Sequence, residues 1–117
     1  MSNRTPASAD MRRANRFPVS RDIRAVNRQT GQEIGRVVNI SIEGIMLLGS
    51  SPVEEDSILE LALNSNDDPM DPVMLGVEAL WCHSSEDGNG YWSGYFIIDI
   101  SEQELERLLA LAISDQA

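Results

Sequence analysis

The chain contains no lysine, one cysteine and one histidine, and it has no long apolar run. Each shortage removes a class of function. A lone thiol, Cys82, excludes an intramolecular disulfide framework and fits a reducing compartment. One Cys and one His cannot supply the ligands of a zinc site. His83 follows Cys82 directly, and neighbours in a strand point to opposite faces, the wrong geometry for a nucleophile–base dyad. No stretch approaches the roughly 18 apolar residues of a membrane span. Residues 1–10 have no apolar centre of the kind a secretory signal requires, so the expected location is cytoplasmic. No phosphate-binding P-loop is present. The acidic run Asp67-Asp68-Pro69-Met70-Asp71 lacks the glycine and distal glutamate of an EF-hand and reads as a solvated loop.

What remains is unevenly distributed. The 117 residues carry a net charge of -10, and all nine basic residues are arginines. Eight arginines against three acids in the first 36 residues give that segment +5; the remaining 81 residues, with sixteen acids and only Arg107, stand at -15. Such asymmetry suggests a basic arm with its own partner. Charges farther apart than about 8 Å are largely screened at physiological salt. A small anion can therefore bind at the arm, while the acidic body disfavours a long polyanion.

The length and an apolar content of 42% suit one globular domain. Residues 1–11 show no periodicity and read as a flexible tail, leaving residues 12–117 as the domain. Strand patterns are expected over Phe17 to Val26, Ile34 to Ile42, Gly44 to Leu48, Ser57 to Leu63, Val73 to Cys82 and Tyr91 to Ile100. Asn27 to Gly31 is a turn cluster. The period then changes. Ser101 and Glu104 form a capping-box pattern, followed by Leu105, Leu108, Leu109 and Ala112 at helical spacing, which predicts a helix over about 101–114. Several short strands with one terminal amphipathic helix imply a barrel or sandwich whose open edge or mouth the helix covers.

Two motifs flank the first strands. Arg12-Arg13-Ala14-Asn15-Arg16 has the spacing R-x-x-x-R, and Asn39-Ile40-Ser41-Ile42-Glu43-Gly44 has the spacing N-x-S-x-x-G. Each arginine presents a planar fork of donors that fits a phosphate, stacks on a flat ring, or addresses the O6/N7 edge of guanine. Strand alternation puts Asn39 and Ser41 on one face and turns Ile40 and Ile42 into the core. Asn39 and Ser41 then offer donors and acceptors, and Gly44 offers a close approach to the backbone.

In this order, about 20 residues apart, the two motifs resemble those of the PilZ domain family, bacterial receptors for cyclic dimeric GMP (c-di-GMP). The resemblance runs from about Arg12 to Ala112 and includes the strand reaching Trp81, the later Gly94-Tyr95-Phe96 and the closing helix. It implies a mainly β fold: a six- or seven-stranded antiparallel PilZ-like β-barrel with a C-terminal α-helix and a flexible N-terminal arm. It implies a non-enzymatic receptor with no cofactor and c-di-GMP as ligand. The implied binding residues are Arg12, Arg13, Arg16, Asn39, Ser41 and Gly44, with Trp81 as an aromatic either near the ligand or in the core. No output domain is recognised, so the signal is expected to pass in trans to a protein effector that the sequence does not identify. Two alternatives stand beside this: a nucleic-acid-binding protein using the arginine arm, and a PilZ-like adaptor that binds only protein.

Overall fold

Strand alternation organises the interior. The computed structural model describes residues 16–67 and 70–116, with helix side chains through Ala112. Its strands are β1 (Phe17–Pro18), β2 (Ile23–Asn27), β3 (Glu33–Ile40), β4 (Gly44–Gly49), β5 (Ile58–Ser65), β6 (Val73–Ser84) and β7 (Tyr91–Asp99), followed by one helix, α1 (Glu102–Gln116). All pairings are antiparallel. The sheet order β1-β3-β2-β5-β6-β7-β4 closes through β3–β4, so β2 to β7 form a six-stranded barrel and β1 is an extra strand on β3. Closure pairs the strand edges that would otherwise template aggregation. Inside lie Ile23, Val37, Ile40, Leu47, Leu61, Leu63, Val73 and Val77, all essentially inaccessible. Arg12, Arg13 and the expected flexible tail lie outside the described residues.

Two expectations are corrected here. The expected strand from Phe17 to Val26 is two strands. Both β1 and β2 pair with β3, through Phe17↔Ile40 and Arg24↔Arg36, so seven steps on one side face four on the other. The extra residues leave the ladder after Val19, whose N–H still reaches the Val38 carbonyl at 2.8 Å. A tight turn from Ile23 N–H to the Arg21 carbonyl, 3.0 Å, restarts the strand. Pro18 sits where a missing donor is tolerated, at the end of a short edge strand. The second correction concerns Ile42, which is exposed rather than in the core. β3 ends at Ile40, and Ser41 N–H to the Gly44 carbonyl at 2.9 Å closes a turn, so alternation does not extend to Ile42.

The helix caps the barrel. Ser101 Oγ accepts the Glu104 N–H at 3.1 Å, the expected N-cap bond. The Glu104 carboxylate takes a hydrogen bond from Arg107 at 2.7 Å, and Arg107 also donates to the Pro72 and Asp71 carbonyls. Leu108 and Ala112 are fully buried, and α1 packs on β1, β3 and β6. The helix therefore steadies the short strand next to the N-terminal arm.

Candidate functional site

Two β-bulges build the outer face of the barrel where the motif residues meet. On β3, Gly35 and Val37 point inward, and strict alternation would send Asn39 inward as well. A bulge between Val37 and Asn39 shifts the register, so Ile40 turns in and Asn39 turns out, opposite Met46. On β6, Val73, Leu75, Val77 and Ala79 are buried at every second position, which would place Trp81 inside. A bulge between Ala79 and Trp81 leaves Leu80 exposed and sets Trp81 opposite Gly94. Gly94 lies between the inward-facing Ser93 and Tyr95, so Trp81 is on the outside, half-buried. Asn39, Met46, Gly94 and Trp81 thus form one row across four strands.

A solvent-open cleft of roughly 100 Å³ lies over this row, and the residues lining it include Arg16, Asn39, Ser41, Glu43, Gly44 and Trp81. The rest of its wall comes from Met46, Leu80, Gly94 and Phe96, with the edges of Ile45 and Tyr95. Arg16 is its one cation and Glu43 its one carboxylate among the described residues. Arg16 is brought there by β1: continuing the pairing Phe17↔Ile40 by one residue sets Arg16 opposite Ser41. The end of the arginine motif and the strand motif therefore converge on one cleft.

The polar groups have distinct duties. Asn39 Nδ2 donates to the Met46 thioether at 3.4 Å. Sulfur is a weak acceptor, so a better one displaces it at little cost. Ser41 Oγ accepts the N–H groups of Glu43 and Gly44 at 3.3 and 3.1 Å and donates to the Gly44 carbonyl at 3.3 Å. Its hydrogen-bonding capacity is thus taken up by the turn, and it shapes the cleft wall. Gly44 also has a role the spacing did not reveal: a Cβ there would lie 2.1 Å from the Tyr95 carbonyl oxygen. The backbone that Gly44 must approach is that of β7. Tyr95 itself is buried beneath the cleft, with its hydroxyl 2.9 Å from Ser93 Oγ, and burial pushes its phenol up from the ordinary value.

Trp81 is placed by Gly94 and His83. A Cβ at Gly94 would fall 2.3 Å from Trp81 Nε1 and 2.4 Å from Cε2, so only glycine leaves room for the indole. The His83 ring stacks on it with centroids 5.1 Å apart and an interplanar angle of 21°. Cys82, between them, accepts the Val53 N–H through sulfur at 3.4 Å. Met46, Leu80, Gly94 and Phe96 escaped the sequence reading as wall residues. The signal for Gly94 and Phe96 was present in Gly94-Tyr95-Phe96, whereas Leu80 is turned outward by the bulge on β6.

Similar architectures are known. A family model described as PilZ domain matches residues 10–114. No curated protein sequence matches the chain significantly. Among solved structures, the PilZ domain of YcgR from Escherichia coli, determined with c-di-GMP, superposes with a TM-score of 0.64 at 9% identity, covering 86% of this chain and 88% of that one. The inhibitor of motility MotI/DgrA of Bacillus subtilis gives 0.65 at 15% identity, covering 86% of this chain and 49% of that one. MrkH of K. pneumonia, in complex with c-di-GMP, gives 0.66 at 14%, covering 85% and 49%. The chain thus spans about half the length of the last two, and at these identities the likeness is one of fold. The match over residues 10–114 spans the barrel, the closing helix and both motifs, and it has one meaning: the chain belongs to the PilZ domain family.

Proposed function

We propose that this protein is a bacterial, cytoplasmic receptor for c-di-GMP, that it is not an enzyme, and that it acts on a partner protein in trans. The observation that carries the reading is the convergence of Arg16, Asn39 and Trp81 on one solvent-open cleft. A cyclic dinucleotide needs cations for its phosphates, an amide for a guanine edge and a flat ring for a base face. The cleft offers one group of each kind. Known PilZ structures bearing this ligand, YcgR and MrkH, support the choice of dinucleotide.

In this reading Arg12 and Arg13 join Arg16 on the ligand, and the arm closes over the cleft. Ordering five arm residues costs on the order of 5–10 kcal/mol. One charge-assisted hydrogen bond returns about 1.5–3 kcal/mol. Several contacts must therefore form together, and the arginines act interdependently. Asn39 gives up its thioether partner for a guanine edge. Ser41 and Gly44 hold the turn that forms the floor. The closed arm changes the surface presented to an effector.

The test is an NMR titration of the full chain with c-di-GMP and with GMP as control. Shifts are expected in residues 12–16 and 39–44 and at the Trp81 indole with the dinucleotide only. Arg16→Ala is expected to weaken binding at least tenfold by calorimetry, the loss of one charge-assisted contact. Shifts absent from those residues, or an Arg16→Ala protein with unchanged affinity, would sink the reading.

A further inference from the structure

The His83 ring has no part in the cleft wall and no catalytic partner among the described residues, yet it lies against Trp81, an aromatic ring that lines the cleft beside the motif residues. His83 is exposed, two residues beyond Trp81 on the same outward face of β6. Its ring covers the indole at 5.1 Å and 21°. Trp81 lines the cleft and His83 does not. Gly94 is the floor on which the indole rests, since any Cβ there would overlap it. The indole is thus bounded by Gly94 and by the His83 ring, and it still lines the cleft.

A half-buried Trp on the outer face of a strand has more than one staggered rotamer open to it. A side chain that must receive a base pays for ordering when the ligand arrives, and fixing it beforehand removes part of that cost. Stacked aromatic pairs contribute beyond their buried area. A histidine in this position therefore costs the protein little and holds the indole in place before binding.

We infer that His83 is a positioning residue for the nucleotide site: its ring holds the Trp81 indole in the orientation that receives a guanine face. The inference rests on the c-di-GMP reading above. It assigns the discrimination between a stacked and an unstacked base to a pair, Trp81 with His83, rather than to Trp81 alone.

A double-mutant cycle on the full chain tests it. His83→Ala is expected to weaken c-di-GMP binding roughly three- to tenfold, the range that loss of an aromatic pair supports. His83→Phe, which keeps a flat ring, is expected to restore affinity to within about twofold. In a Trp81→Ala background, His83→Ala is expected to have no further effect, because it acts only through the indole. A spectroscopic readout accompanies the cycle. With Trp92→Phe leaving Trp81 as the single tryptophan, His83→Ala is expected to lower emission anisotropy before any ligand is added, and His83→Phe to preserve it. Wild-type binding with an unaffected His83→Ala protein overturns this inference alone, as does an equal loss from His83→Ala in both backgrounds. A wild-type protein that binds no cyclic dinucleotide overturns the receptor reading, and this inference with it.

Discussion

Gly44 and Gly94 both lack a Cβ for steric reasons, but the obstacles differ. At Gly44 the obstacle is the Tyr95 backbone carbonyl, 2.1 Å from where the Cβ would be. At Gly94 it is the Trp81 side chain. Backbone in a closed barrel cannot move aside, whereas an indole can rotate away. Gly44→Ala is therefore expected to destabilise the fold by about 1–3 kcal/mol, measured by urea unfolding, in line with overpacking elsewhere. Gly94→Ala is expected to leave the unfolding midpoint nearly unchanged and to displace Trp81, visible as altered tryptophan emission and as weaker dinucleotide binding. Equal loss of stability in both variants would contradict this distinction. The sequence made the positions of the N-x-S-x-x-G motif legible, but the uses of its residues less so. Ser41 spends its hydroxyl on the turn, and Gly44 is required by β7. A spacing pattern records which residues are needed and cannot say which neighbour needs them; for Gly44 that neighbour, Tyr95, lies about 50 residues away in sequence.

Among the elements, β2 to β7 and α1 follow from alternation, turn residues and the change of period at Ser101. The places where alternation failed are those that make the cleft. The bulges at Val38 and Leu80 each reverse one residue, turning Asn39 and Trp81 outward. Bulges carry no fixed sequence signature, and a slip of one residue exchanges the two faces of a strand. The break between β1 and β2 was hidden for a related reason: Val19 and Ile23 are both buried, so the apolar pattern continues across it. α1 depends on local chemistry that the sequence does show. Ser101→Ala removes the bond to the Glu104 N–H and is expected to lower stability by about 1 kcal/mol. Because α1 packs on β1, faster amide exchange is expected at Phe17 and Val19 as well as in the first helical turn. Exchange raised in the helix alone would show that β1 is held independently of it.

Charge distribution decides between partners at the level of the whole molecule. The first 36 residues carry +5 and the remainder -15. A ligand with two phosphate charges can be held at the arm, inside one screening length, where Glu43 is the one carboxylate of the cleft among the described residues. A nucleic acid long enough to occupy the arm would extend over that body and be repelled. The two cases differ in salt dependence. Displacing condensed counterions from a polymer gives a slope of log affinity against log salt of about -0.9 per neutralised phosphate. Engaging Arg4, Arg12, Arg13 and Arg16 would then give a slope between about -3 and -4. A cyclic dinucleotide has no condensed counterion layer to release, so its slope is expected to be on the order of -1 or shallower, set by screening of two charges. Calorimetry of c-di-GMP binding between 50 and 500 mM salt, about tenfold in concentration, thus predicts a loss of roughly tenfold or less. A duplex or single-stranded oligonucleotide of 20 nucleotides or so, titrated in parallel, is expected to show no binding at the physiological end of that range. A steep slope for the oligonucleotide, with no competition from c-di-GMP, would instead make the arginine arm a polymer-binding element and leave the cleft over Asn39 and Trp81 without its proposed ligand.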